Sequence, residues 1–218
     1  VMDNTYQIAA YYYNGFWKSP GGFNPVNMHA TFPYLSVYGG SIEGPVGPGI
    51  ANVEVGYYDS REDPGGTDPF INNSEFRWLV GYEQNMEQIL TPLLGAEAGQ
   101  LIGGDFTLSA QYYVEWMMYY DRYVDSLPPG ADARHEVRHL TTLRATKLLL
   151  DQNLELSLFT YFSPSDVDMY MRPRLSYKLT DYWTLDFGAN IFLGNEPHTF
   201  FGQFSRNSNL YFGLRCSF

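Results

Sequence analysis

A chain of 218 residues is long enough for one all-β domain. Its 19 Tyr, 15 Phe, 4 Trp and 21 Gly, with 17% charged residues and a mean hydropathy of −0.28, make it aromatic without being greasy. A net charge of −11 argues against a nucleic-acid partner, which needs a basic face, the single Cys216 forms no internal disulfide, and no Cys/His cluster has zinc spacing. No run approaches the roughly 18 apolar residues of a spanning helix, so residence in a membrane would have to be built from strands.

Period-two alternation recurs down the chain, and it predicts ten strands at about 4–16, 34–44, 50–59, 75–85, 106–121, 137–149, 154–163, 169–179, 183–193 and 207–218. Most of these segments have about 10–13 residues. That suits the roughly 9–11 residues of a tilted membrane-crossing strand and exceeds the roughly 5–6 of soluble strands. Short connections at 44–49, 151–153 and 180–182 alternate with long ones at 18–33, 60–74, 122–136 and 194–206, and with a briefer one at 164–168. Outer-membrane barrels show this asymmetry, with tight periplasmic turns and long outer loops. Residues 85–105 are the exception, a long periplasmic connection in which Ile89, Leu90, Leu93 and Leu94 suggest a short amphipathic helix or a plug. The expected architecture is a single domain over 1–218, an antiparallel up-and-down transmembrane β-barrel or the C-terminal part of one. No charged leader precedes an apolar run, so any export signal is expected to be removed already or to lie outside this segment.

With the apolar stripes turned to lipid, the other face becomes the lumen. It carries the acids Glu54, Glu75, Glu83, Glu115, Asp121, Glu155 and Asp186 against the bases Arg77, Arg138, Arg144, Arg172, Arg174, Lys178 and Arg215. Opposite charges on neighbouring strands point to transverse ion-pair ladders, which either line a pore or stabilise a narrow barrel. The acid excess falls in loops, where Asp59, Asp63 and Asp68 are weak candidates for Ca²⁺ and Asp166 and Asp168 form a second acidic group; a solvated acidic rim is the plainer reading. Aromatic residues near segment ends, Tyr11 to Tyr13, Phe16, Trp17, Tyr57, Tyr58, Tyr119, Tyr120, Tyr182 and Trp183, suit headgroup-level girdles. His135 and His139, near Asp132 and Glu136, are the best place for a barrel hydrolase. However, His139 has lipid-facing parity and no Gly-x-Ser-x-Gly elbow is present, so the chain is read as no enzyme and without a cofactor.

The stretch Asn209 to Phe218, NLYFGLRCSF, resembles the closing strand of outer-membrane barrels, which ends in Phe and is recognised by the barrel-assembly machinery. Asp181 to Asn190, the Phe200 to Phe204 loop, Leu79 to Tyr82 and Gln111 to Trp116 are similar to uncharacterised proteobacterial porin-like proteins of the alginate-export type. Those relatives are longer, so the resemblance implies that these strands form part of a wider barrel. It also implies the outer membrane of a Gram-negative bacterium, with lipid and lipopolysaccharide as surroundings. The expected function is a porin-like channel for passive passage of small polar or ionic solutes. The alternatives are a structural barrel or sleeve around a partner, such as an electron-transfer protein, and, distantly, a hydrolase; the partners considered are a second copy of the chain or an enclosed protein.

Overall fold

Alternating side chains leave a strand one apolar and one polar face, and ten such strands in sequence pair most simply as consecutive hairpins. The computed structural model describes residues 5–218 and shows this arrangement. The long strands are β1 (Gln7–Phe16), β4 (Tyr34–Val46), β5 (Gly49–Ser60), β6 (Glu75–Asn85), β7 (Phe106–Met117), β8 (Val137–Leu149), β9 (Leu154–Ser163), β10 (Asp168–Lys178), β11 (Trp183–Leu193) and β12 (Asn209–Cys216). They form one ten-stranded antiparallel sheet in that order. A two-stranded hairpin, β2 (Gly22–Asn24) with β3 (His29–Thr31), occupies the first long loop. β1 and β12 are the sheet's edges and do not pair with each other among the described residues. The predicted start at position 4 lies outside those residues.

The strands slide past one another in one direction. A row of directly paired residues begins at Gln7, the first residue of β1, and crosses through Glu43, Asn52, Gly81, Gln111, Thr142, Tyr161 and Tyr170. It reaches Phe192 next to the far end of β11, beyond where β12 begins to pair. A slide of about one residue per strand, at roughly 3.4 Å rise and 4.8 Å spacing, tilts the strands by roughly 35–40°. Closed barrels have this tilt.

The two ends of the sheet differ. At the short-turn end, β4 and β5 are joined through Gly47, whose φ of 59° is left-handed, and β8 and β9 through Leu150, Asp151 and Gln152, all left-handed at 53°, 53° and 66°. There too, 85–105 forms a helical hairpin, α1 (Glu87–Leu94) and α2 (Ala96–Gly103), where one short helix or a plug was expected. A Cβ on Gly99 would lie 2.3 Å from the Thr91 Cα, and one on Gly103 2.6 Å from the Glu87 Cα, so only glycine permits this close helix approach.

At the long-loop end, Phe23 N donates to Phe70 O at 2.8 Å and Asn72 N to Gly21 O at 2.7 Å, so the first two long loops dock on each other. β7 ends at Met117, four residues before the predicted boundary. Met118 N turns to Ser74 O, Tyr119 is left-handed, and α3 (Tyr120–Ser126) follows. Asp121 therefore lies on a helix and not on the polar face of a strand.

Few apolar side chains are buried: Trp17, Leu35, Val114, Met117, Tyr123, Leu140, Ala189 and Phe201. The sheet's apolar face is instead exposed from edge to edge, including Ile8, Val53, Val80, Tyr112, Leu158, Phe187 and Phe212. One paired row on it is wholly aromatic across five strands: Tyr12, Tyr38, Tyr57, Phe76 and Trp116.

Candidate functional site

The register sets opposite charges side by side on the polar face. Arg77 of β6 pairs with Glu115 of β7, which pairs with Arg138 of β8. The neighbours of Arg77 on the other side are Gly56 and then Gly39, so the long guanidinium meets no competing side chain there. Arg77 Nη2 lies 2.5 Å from Glu75 Oε2, and its Nη1 3.5 Å from Glu115 Oε1. Arg138 Nη1 donates to Glu115 Oε2 at 3.2 Å, and its Nε to Asp166 Oδ2 at 2.6 Å. Tyr113 donates its hydroxyl to Glu115 at 3.2 Å, and Ser163 donates to Asp166 at 3.0 Å. The Arg77 guanidinium also stacks 4.1 Å from the Tyr58 ring, with Trp17 beyond at 5.7 Å. The result is a continuous ladder, Trp17–Tyr58–Arg77–Glu115–Arg138–Asp166, with Glu75 as a second acid on Arg77, across the long-loop half of the sheet.

Above the ladder lies a cavity of about 480 Å³, whose walls include Glu75, Glu115, Arg138 and Asp166 together with His135 and His198. Pro20, in the loop after β1, and Phe200, in the loop between β11 and β12, border the same space. Loops from both sides of the sheet thus meet over the polar face and partly roof it at this end. The roof is held from below, since Asp168, 1% exposed, accepts from Phe201 N at 2.7 Å, and the Phe201 ring stacks on Tyr170 and meets Tyr161 edge to face.

A second cluster lies nearer the short turns. Arg174 reaches Asp186 at 2.5 Å and Glu155 at 3.9 Å. Arg144 and Arg172 border a recess of about 270 Å³ beside it, and Arg172 stands 6.0 Å from the Tyr211 ring. Among the described residues, Arg144, Arg172, Lys178, Arg215, Glu54 and Glu83 form no ion pair within 4.0 Å, although register puts all of them on the polar face. The polar face is also sorted laterally: β5 to β7 carry Glu54, Glu75, Glu83 and Glu115 against Arg77, while β8 to β12 carry most of the bases.

The acids at the end of β5 and in the loop after it are spent locally. Asp59 pairs with Arg61 at 2.9 Å, and its hydrogen bond raises the Arg61 guanidinium above its ordinary pKa. Asp63 accepts from Thr67 Oγ1 at 3.4 Å and Asp68 N at 2.9 Å, and Asp68 accepts from Phe70 N at 2.9 Å. These three acids do not meet, and among the described residues no group of three metal-capable side chains converges anywhere. His139 is on the apolar face, stacked on Tyr112 with Nδ1 2.6 Å from its hydroxyl, while His135 Nε2 lies 3.9 Å from Asp166 in the cavity wall.

Sequence reasoning missed Asp166, Trp17 and Tyr58 as ladder members. Only Ser163, three residues before Asp166, hints at the turn that aims that carboxylate inward, since Asp166 N donates back to Ser163 Oγ at 3.2 Å. No family model matches the chain, and no curated protein is similar to it in sequence.

Proposed function

We propose that this chain forms the wall, or part of the wall, of an outer-membrane β-barrel of a Gram-negative bacterium, a porin-like conduit for passive passage of small polar or ionic solutes. The observation that carries this reading is the two-faced sheet: ten tilted strands with an exposed apolar face on one side and, on the other, a charged face overhung by loops from both edges. An apolar surface of that extent in water would be an aggregation liability, whereas in hydrocarbon it is the required coat. The aromatic row at Tyr12, Tyr38, Tyr57, Phe76 and Trp116 suits a headgroup girdle. The resemblance of the last strand to barrel-assembly signals fits the same location, with lipid and lipopolysaccharide as neighbours.

The test is conductance of the purified protein in a planar bilayer. Discrete steps that scale with salt concentration support the channel, and no current above leak sinks it. A second reading, a structural barrel or sleeve, draws on the inward-folded loops over the ladder. It predicts membrane insertion without current.

A further inference from the structure

On the membrane reading just proposed, the helical hairpin of α1 and α2 acquires a place. The 17 residues from Glu87 to Gly103 contain only two charges, Glu87 and Glu97. Their small residues face inward, with Gly99 and Gly103 buried in the helix contact, while large apolar side chains point away: Leu93 is 72% exposed and Leu101 79%, with Leu94 and Ile102 about half exposed. A short helix pair that packs through glycine and turns its leucines outward expects an apolar neighbour.

The side of the sheet on which this neighbour lies is fixed by Lys147. Its position in β8 pairs with Phe106 on one side and Leu156 on the other, both on the apolar face. From there Nζ donates to the last carbonyls of α2, Leu101 O at 3.3 Å and Ile102 O at 3.1 Å, and to Gly104 O. A lysine is costly on a face that meets hydrocarbon, and the free carbonyls at a helix C-terminus are suited to take up its charge. The clamp therefore ties the end of α2 to the apolar side of the wall, away from the polar face where a plug would sit. It also holds the backbone of Leu101 and Ile102 beside Lys147, two residues from the short-turn end of β8. Phe106 and Lys147 border an apolar groove on that face, continuous with Leu156, Leu158 and Leu175.

We infer that the α1–α2 hairpin is an interfacial membrane anchor, docking its leucines into the phospholipid leaflet at the short-turn end of the wall while Lys147 holds it there. Such elements bury their apolar side chains roughly 5–10 Å into the headgroup and acyl boundary.

Depth-dependent quenching tests this. Cysteine is placed singly at 101, 158 or 26 in a Cys216→Ser background (Leu101→Cys, Leu158→Cys, Val26→Cys) and labelled with an environment-sensitive fluorophore. The protein is reconstituted into phosphatidylethanolamine/phosphatidylglycerol vesicles carrying phosphatidylcholine spin-labelled near the headgroup or near the methyl terminus. Position 101 is expected to be quenched at least about twofold more by the shallow label than by the deep one. Position 158, midway along β9, should show the reverse, and position 26, in the first long loop, should be quenched by neither. Quenching at 158 with none at 101 overturns the anchor and leaves the wall standing. No quenching at 158 overturns the membrane reading itself, and the anchor with it.

Discussion

Neutralising Glu115 tests whether the ladder holds the sheet together. Glu115→Gln keeps the side chain's shape but leaves the Arg77 and Arg138 guanidiniums facing each other across a neutral amide. At an effective dielectric of about 20, each contact in the wild type contributes roughly 5 kcal/mol of gross attraction at 3.2–3.5 Å. Desolvation of three partly buried groups offsets most of that, and both arginines keep a second acid, Glu75 at 2.5 Å and Asp166 at 2.6 Å. The expected net loss is about 2–3 kcal/mol, below the usual cost of orphaning a fully buried charge. Urea unfolding in detergent micelles, followed by tryptophan fluorescence, reads it directly. Paired with Arg138→Gln in a double-mutant cycle, the substitution should show a coupling of about 1–2 kcal/mol. Glu54→Gln is the control, since it removes a polar-face acid with no ion pair and should cost less than about 0.5 kcal/mol. If Glu115→Gln costs no more than Glu54→Gln, the ladder is not a stabilising network and the reasoning fails.

Asp168→Ala removes the acceptor of Phe201 N and should free the last long loop, costing about 1–3 kcal/mol. Faster tryptic cleavage at Arg206 checks this. Gln152→Gly should raise the urea midpoint by an amount equivalent to about 0.5–1 kcal/mol, because φ at 152 is left-handed at 66° and the side chain is exposed; an unchanged midpoint contradicts the strain. Arg172→Gln removes a base without an ion pair, so in the conduit reading it should shift the reversal potential under a salt gradient toward cations and leave stability within about 0.5 kcal/mol. An unmoved potential with a lost fold would reverse the roles assigned to paired and unpaired charges.

The long strands were legible because alternation is a local signal: the bounds of β6, β8, β9 and β11 match the predicted segments. The polar-face pairs followed from parity. What remained hidden depends on contacts between loops distant in sequence. Tyr119 ends β7 early because Asn73 and Ser74, more than 40 residues away, hold the Met118 backbone, and nothing near Tyr119 announces that. Asp166 looked like one more rim acid, and only the fold of the 163–168 turn brings it to Arg138. Lys147 breaks the apolar parity of β8, a visible anomaly whose explanation, the end of α2, lies some 45 residues upstream.

The two edges of the sheet constrain each other through the same parity. In hydrocarbon an unpaired edge leaves a column of N–H and C=O groups unsatisfied, each at a cost of several kcal/mol, so in the proposed setting β1 and β12 are joined, to each other or through further strands. Odd-numbered residues of both strands face the polar side, through Tyr11 and Tyr13 in β1 and Tyr211 and Arg215 in β12. A direct joint that respects this and continues the stagger would offset the strands by about ten to twelve residues, within the tilt range of closed barrels. Tyr13 would then stand opposite Gly213, and Tyr11 opposite Arg215. A slip of one residue would turn Leu210, Phe212 and Leu214 to the polar side and Arg215 out to lipid. The apolar alternation that makes the strands recognisable is therefore also what restricts how the wall can be completed.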